Sequence, residues 1–133
     1  MLQSGSGLLG LSGGVSNDLR DIQEAADNGN EDCQNALKAY AYGIKKYIGA
    51  YTAAMGGVDA IVFGGGIGRK SDRVRAMALE GLECLGAKLD ADKNRNPSGG
   101  EDISTADSTV RIYVVDTNEE IIVARKAKAL LEQ

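Results

Sequence analysis

A run of glycines followed by cations is the strongest sign of a ligand site in this 133-residue sequence. Glycines occupy positions 64, 65, 66 and 68, and Arg69, Lys70 and Ser71 follow them. Glycine lets a backbone approach a ligand without a Cβ in the way, and cationic side chains neutralise phosphates. The run lies between an apolar segment and a helical pattern, which is where α/β proteins hold nucleotides. We therefore predict a nucleotide or phosphate site here.

Two nucleotide-binding templates fit this run only in part. The Rossmann fingerprint G-x-G-x-x-G needs glycine or alanine where Arg69 stands or, in the other register, where Ser71 stands. It also needs an acidic residue after a following strand, about 20 residues on, and none is found there. The Walker A template matches Lys70 and Ser71 but lacks its second glycine. The Rossmann fingerprint is therefore disfavoured, and a Walker A phosphate loop stays open as an alternative.

The absence of histidine narrows the chemistry. It excludes Ser-His-Asp and Cys-His nucleophiles, histidine-containing zinc sites and an imidazole general base. The chain has 15 Lys and Arg against 19 Asp and Glu, which are interspersed and give a formal net charge of -4, and only 5% of its residues are aromatic. Neither a basic stripe nor a base-stacking surface is indicated, so nucleic acid is not expected as a partner.

Two helices are predicted before the glycine run. Ser16 is expected to cap a helix over 17–27, and the Gly/Ser-rich residues 1–15 hold too small an apolar island for an element of their own. A second helix, 31–55, carries the longest periodic pattern in the chain. Its apolar stripe consists of Ala36, Leu37, Tyr40, Ala41, Ile44, Tyr47, Ile48, Tyr51 and Met55. Such a stripe is typical of a core or of an interface with a partner.

Two apolar runs, 58–63 and 110–115, predict strands buried in a parallel sheet, because both are rich in β-branched residues. A helix over 72–85, a polar surface loop over 91–108 and a last helix from a Thr117–Glu120 capping box to about residue 131 complete the pattern. Since two strands make too small a sheet, we expect an α/β chain that forms part of a larger fold.

The sequence also indicates a soluble cytoplasmic protein with no membrane partner. No apolar run approaches the roughly 18 residues that cross a bilayer, and the first residues carry no leader pattern. Cys33 and Cys84 lack the spacing of a metal site or a disulfide framework, so both are expected to be reduced thiols.

Seven short segments, in their order and intervals, resemble the C-terminal part of acetate kinases across the whole chain. They are Ser6–Gly10, Ser16–Asp21, Tyr47–Tyr51, Gly57–Phe63, Gly65–Gly68, Ile103–Ser108 and Thr117–Glu120. The resemblance implies the ribonuclease-H-like α/β fold of the actin-like and sugar-kinase ATPases. Residues 1–133 would form a C-terminal nucleotide-binding lobe with an incomplete sheet flanked by helices.

The resemblance implies that Asp18, Leu19 and Arg20 lie against the adenosine of ATP or ADP, with the arginine beside the base. A planar guanidinium can stack on a purine. Without the resemblance, Asp18 would be interpreted as a carboxylate that stabilises a helix start and Arg20 as a solvated cation.

The resemblance further implies that Gly66, Ile67 and Gly68 form the floor of the adenosine pocket. The same glycines would equally permit a tight turn without a ligand. Arg69 and Lys70 stand where acetate kinases usually have Glu-Asn. This departure from the family pattern puts the details of base or ribose recognition in question. The two cations could contact phosphates instead.

Glu119 matches the magnesium-associated glutamate of the family, although an acidic residue at a helix N-terminus is stabilising in any case. The implied reaction converts ATP and acetate to ADP and acetyl phosphate by in-line phosphoryl transfer. The groups that hold the acyl substrate and the transferring phosphoryl lie upstream of the matched region in the family. We therefore expect this chain to be inactive alone, and to meet acetate or another short acyl substrate only with the missing N-terminal part.

Acetate kinases are typically dimers, so a homodimer through the apolar stripe is expected. The alternative is a non-catalytic nucleotide-binding or dimerisation module.

Overall fold

The computed structural model of the chain describes residues 5–118 and 120–131. The helices are α1 (Gly7–Leu11), α2 (Leu19–Asp27), α3 (Glu31–Met55), α4 (Gly65–Lys70), α5 (Asp72–Leu79), α6 (Ala91–Arg95) and α7 (Glu120–Leu131), with a 3₁₀ turn over Leu82–Leu85. The strands are β1 (Ala60–Phe63), β2 (Glu101–Asp102) and β3 (Arg111–Val114). None of the helices in these ranges is long and apolar enough to span a membrane.

The bounds of α3 are those that its periodicity predicts, because both ends carry local signals. Asn30 Oδ1 accepts a hydrogen bond from Cys33 N at 3.0 Å at the start, and Gly56 ends the helix with φ 74°. The predicted apolar stripe, however, divides. Ala36, Leu37 and Ala41 are buried, whereas Tyr47, Tyr51 and Met55 are 65%, 61% and 66% exposed. The first half of the stripe therefore lies in the core, whereas in the second half Ile48 packs against the sheet and the two tyrosines and Met55 face outward.

The start of α2 corrects the sequence prediction. Asp18 rather than Ser16 caps this helix, because its carboxylate accepts a hydrogen bond from Arg20 N at 2.9 Å. Ser16 Oγ instead accepts from Asp18 N at 3.0 Å. The short helix α1 also lies where no element was predicted, while residues 1–4 of that segment are outside the described residues.

Two further predicted boundaries are wrong. The helix expected over 72–85 ends at Leu79, and Gly81, with φ 78°, separates it from the 3₁₀ turn. The expected Thr117–Glu120 capping box does not form. Thr117 Oγ1 accepts from Gly65 N at 3.2 Å, and Asn118 Oδ1 accepts from Ile121 N at 3.1 Å in the first turn of α7.

Three strands of the described residues form one sheet, in the order β1-β3-β2. The strands β1 and β3 are parallel, with Ile61 opposite Ile112, and β2 is antiparallel to β3. The third strand lies in the segment 91–108, which was predicted as a surface loop and instead also contains α6 and the fully buried Ile103. Sequence alone missed β2 because it is only two residues long and polar.

The strands were predicted to be buried in the sheet, but β1 is buried on one face only. In β1 the side chains of Ile61 and Phe63 are buried, whereas Val62 between them is 57% exposed. The buried face packs against Leu79 and Leu82, while a second core lies between α2, α3 and Val74 of α5. Because α5 contributes to both cores, it joins the sheet to the helical part of the molecule.

Arg75 on α5 is the largest fully buried side chain of the described residues. Its Nη1 donates to the carbonyl oxygens of Gly68 at 2.8 Å and Arg69 at 3.0 Å, at the end of α4. Its Nε and Nη2 donate to Oδ1 and O of Asn94 on α6 at 2.7 and 2.6 Å. Burial lowers the pKa of Arg75 from its ordinary value, yet arginine stays protonated in proteins. The negative end of the short helix and the Asn94 oxygens thus compensate the buried charge.

We predict that Arg75→Met destabilises the fold by about 3 kcal/mol or more, because it leaves the buried oxygens of Gly68, Arg69 and Asn94 without donors. Arg73→Met, on the same helix, is the matched control. Arg73 forms an exposed ion pair with Asp27 at 2.6 Å, so its loss should cost less than about 1 kcal/mol. Urea denaturation measures both variants. Equal losses would show that the buried network does not stabilise the fold.

Candidate nucleotide site

A first cavity, of about 570 Å³, lies between the start of α2 and α4. It is lined by Asn17, Asp18, Leu19, Arg20, Gln23, Gly66, Ile67, Lys70 and Ser71. Six of these are residues that the sequence marked in two separate segments, namely Asp18, Leu19, Arg20, Gly66, Ile67 and Lys70. The fold therefore brings the two predicted segments to opposite sides of one cavity.

Two contacts between α2 and α5 hold the walls of this cavity together. Ser71 Oγ, which caps α5 by accepting from Val74 N, donates to Gln23 Oε1 at 2.8 Å. Arg73 Nη1 donates to Asp27 Oδ1 at 2.6 Å further along the same two helices. Since Ser71 directly follows Lys70, the first contact fixes the end of α4 against α2. Sequence reasoning missed Gln23, although it lies one turn after Leu19 and so on a related side of the helix.

Asp18 and Arg20 form an ion pair at the edge of the first cavity. Arg20 Nη2 lies 2.6 Å from Asp18 Oδ2, and Nε donates to both carboxylate oxygens at 3.1 and 3.2 Å. The arginine side chain is 85% exposed, so one face of the guanidinium is open to a ligand. The carboxylate that caps α2 therefore also orients the cation that was expected beside the base.

The hydrogen bond from Arg20 lowers the pKa of Asp18 from 3.8 to about 2. A carboxyl group with a lowered pKa in the folded state contributes stability above its ordinary pKa, and this contribution is lost as the pH falls from about 3.8 to about 2. The ion pair is thus intact at neutral pH. Both groups are on the surface, so its role is to orient Arg20 rather than to stabilise the fold.

The glycines of the run differ in what the backbone requires of them. Gly65 has φ +69°, which only glycine adopts readily, and a Cβ on Gly68 would lie 3.3 Å from the carbonyl carbon of Phe63. Gly66 has neither a positive φ nor any described atom within 4 Å of a Cβ built on it. The backbone thus favours glycine at 65, and at 68 any larger residue would crowd the backbone of Phe63. Gly66 lines the first cavity, and the backbone conformation does not explain why a glycine stands at this position.

A second cavity, of about 610 Å³, adjoins the first and shares Gly66 and Lys70 with it. Its other lining residues are Gly65, Arg69, Asp116, Thr117, Asn118 and Glu120. Arg69 Nε donates to Asp116 Oδ1 at 2.7 Å, so this cation already has a carboxylate partner. Lys70 has no ion pair with the described residues and faces both cavities. The two predicted cations therefore differ in their availability to a ligand.

Three predicted site residues lie elsewhere. Neither Gly68 nor Arg69 lines the first cavity. Gly68 packs against Phe63, and Arg69 lines the second cavity. Glu119 lies outside the described residues, so its predicted role with magnesium stays a prediction. Within residues 5–118 and 120–131 no group of three His, Cys, Asp or Glu could hold a metal ion by itself.

The Walker A alternative does not agree with this geometry. In that motif the glycines form a loop before a helix, and the lysine and serine open the helix around the phosphates. Here Gly65 to Lys70 are themselves helical, and Lys70 is the last residue of α4. A phosphate loop of that kind is therefore not present in this segment.

A small mixed sheet flanked by helices, with a cavity beside the helix that follows β1, is the architecture of part of an actin-like ATPase domain, and comparisons with known proteins agree with the predicted fold class. Residues 1–125 match the family model described as the acetokinase family, and the chain belongs to this family.

Individual relatives support the assignment. The acetate kinase of Methanosarcina barkeri is 48% identical over 132 residues, which cover 99% of this chain and 32% of that protein. The crystal structure of Porphyromonas gingivalis acetate kinase matches 96% of this chain and 32% of its own with a TM-score of 0.85 at 43% identity. A propionate kinase from Francisella tularensis matches 92% of this chain and 30% of its own with a TM-score of 0.80 at 32% identity. The chain thus spans about a third of the length of the relatives it matches.

Proposed function

We propose that this chain forms the adenine-nucleotide-binding lobe, residues 1–133, of an acetate kinase-type phosphotransferase. The enzyme would convert ATP and acetate to ADP and acetyl phosphate. The observation that carries the proposal is the first cavity, because it unites two segments that are far apart in sequence and that both resemble nucleotide-binding segments of the family.

The nucleoside would lie between the ion pair on α2 and the backbone of α4. The guanidinium of Arg20, oriented by Asp18, would stack on the purine. Ile67, which is 37% exposed, offers an apolar contact from the opposite wall, and the missing Cβ of Gly66 leaves room for the ribose. Leu19 is buried and supports the wall from below.

The phosphates would extend past Lys70 toward the second cavity. Lys70 faces both cavities, and its ammonium has no partner among the described residues. A Mg²⁺ ion that enters with the phosphates usually takes one or two carboxylates and completes its coordination with phosphate oxygens and water. The second cavity suits it, since Asn118 and Glu120 supply oxygen atoms there. We propose Glu119, which follows Asn118 in the sequence and lies outside the described residues, as the metal residue. Bound in this place, the ion would neutralise charge on the phosphates.

Phosphoryl transfer depends mainly on positioning and charge neutralisation of the reacting groups. The sequence contains no histidine, and among the described residues only two cations, Arg20 and Lys70, line the first cavity. We therefore propose that acetate, or another short acyl substrate, and the groups that hold the transferring phosphoryl are bound by the rest of a longer enzyme. Since both acetate and propionate kinases are similar to this lobe, we propose that the acyl chain is selected by that other part as well.

A second candidate function is a dimerisation module, with or without bound nucleotide. It is favoured by the outward half of α3, where the stacked rings of Tyr47 and Tyr51, 5.9 Å apart, lie on the same exposed face as Met55. A homodimer through this face is compatible with the kinase proposal. Failure to bind nucleotide would favour a dimerisation module that has no nucleotide site.

Gly66→Ala separates binding from folding. We predict that this variant weakens ADP binding about tenfold or more, because the added methyl occupies space that a ligand would use. Its stability should stay equal or rise by about 0.5–1 kcal/mol, since alanine favours the helix and meets no described atom. Calorimetric titration with ADP and magnesium, together with thermal denaturation, measures both effects.

Gly49→Ala is the matched control, because Gly49 is also helical with open space around its Cβ and lies on α3, outside the cavity lining. It should gain stability and bind ADP like the natural sequence. Unchanged ADP affinity in Gly66→Ala would contradict the proposed nucleoside position. No binding of ADP or ATP to the natural sequence at millimolar concentration would favour the dimerisation module instead.

The proposed division of the enzyme can be tested by reconstitution. We expect no acetyl phosphate from the 133-residue chain alone with ATP, acetate and magnesium. Formation of acetyl phosphate should appear when the N-terminal two thirds of a related acetate kinase are added, because these supply the acyl site. Coupled measurement of ADP release detects it, and Glu119→Ala should raise the magnesium requirement of the mixture. Turnover by the chain alone would contradict the proposal.

A further inference from the structure

A third cavity, of about 360 Å³, adjoins α4 and has an unusual concentration of positive charge. Its lining residues are Arg69, Lys70, Arg75, Arg95, Asn96 and Pro97. Four of the six are cations, and no described carboxylate lines the cavity. It shares Lys70 with the first cavity and both Arg69 and Lys70 with the second, and its far wall is formed by the end of α6 and the residues after it.

The four cations are only partly neutralised. Arg69 pairs with Asp116 at 2.7 Å, and Arg95 pairs with Asp92 at 3.2 Å in an exposed contact along α6. The other two have no carboxylate contact among the described residues. The guanidinium of Arg75 donates to carbonyl oxygens and to Asn94, and Lys70 has no ion pair.

The position of Arg75 makes this charge a fixed part of the wall. Its side chain is fully buried and held by four hydrogen bonds, so it is already ordered before a ligand arrives. Groups ordered in advance lose little conformational entropy on binding. Four of the five N–H groups of Arg75 are used in these hydrogen bonds, so it contributes charge rather than a contact, whereas the exposed guanidinium of Arg95 presents a planar fork that matches phosphate oxygens.

We propose that the third cavity is a binding site for a phosphate oxyanion, occupied by free inorganic phosphate and separate from the nucleotide cavity. Lys70 would contact the anion from α4 and Arg95 from α6, with Arg75 supplying a fixed positive charge between them. Since Lys70 faces both cavities, phosphate in the third cavity and nucleotide in the first would draw on the same ammonium group. Each ligand should therefore weaken the binding of the other.

The test is a titration of the ¹⁵N-labelled 133-residue chain with inorganic phosphate, in chloride buffer at constant ionic strength, so that general screening does not change. We expect saturable shifts of the backbone amide signals of Arg69, Lys70, Arg95 and Asn96. Arg95→Gln should weaken phosphate binding about tenfold, as for the loss of one charge-assisted contact, and leave ADP binding unchanged. Lys46→Gln, which removes an exposed cation on α3, should change neither.

Lys70→Gln is the second variant, and it should weaken the binding of phosphate and of ADP. Three results would overturn the site. These are the absence of saturable shifts at tens of millimolar phosphate, equal phosphate affinity in Arg95→Gln and Lys46→Gln, and shifts confined to residues 17–20 of the first cavity. Weaker ADP binding in Arg95→Gln, with adenosine binding unchanged, would assign the cavity to the phosphates of the nucleotide and so also overturn a separate site. Because ADP binding is measured independently, failure of the phosphate site leaves the proposed nucleotide site standing.

Discussion

The buried guanidinium of Arg75 is the interaction on which the arrangement of the site depends. A six-residue glycine-containing helix such as α4 has little stability of its own, since glycine is a poor helix former. Arg75 compensates by donating to two carbonyl oxygens at its end, and it ties the same point to Asn94 on α6. Asn94 Nδ2 in turn donates to Asp72 O at the start of α5. Three short helices are thus fixed around one charge, and α4 is held as a wall of all three cavities.

Because the end of α4 is fixed, the adjacent cations Arg69 and Lys70 can point into different surroundings. Arg69 and Lys70 are adjacent, and their carbonyl and amide groups lie at the end of α4, yet their side chains have different surroundings. The ion pair with Asp116 holds Arg69 toward the loop after β3, whereas the ammonium of Lys70 remains available between the first and third cavities. The sequence alone, with two consecutive cations, does not show which of them is paired with a carboxylate and which is available to a ligand. The difference arises from the position of Asp116, which follows β3 and is brought beside α4 by the parallel pairing of β1 and β3.

Local patterns predicted the parts of the fold whose signals are local. The bounds of α3 follow from periodicity and caps, and the two longer strands follow from β-branched apolar runs. Predictions failed where distant residues decide the structure. The strand Glu101–Asp102 forms because it pairs with β3, and Thr117 is drawn from its expected capping role to the backbone of Gly65. The stripe on α3 divides because the sheet core covers Ile44 and Ile48, whereas no described residue covers Tyr47, Tyr51 and Met55 to the same extent. Arg75 was missed because an arginine in a helical pattern is ordinarily taken as solvated.

The two halves of the first cavity were predicted by resemblance, while their approach to one another was not predictable from local pattern. It rests on the hydrogen bond between Ser71 and Gln23 and on the packing of both α2 and α5 against α3, which involve residues distant in sequence. The most direct measurement is therefore the set of intermolecular nuclear Overhauser effects between bound ADP and the side-chain protons of the chain. The account predicts contacts from the adenine and ribose protons to the methyl groups of Ile67 and to Arg20. Saturable binding with contacts only to Met55 and the exposed tyrosines of α3 would contradict it.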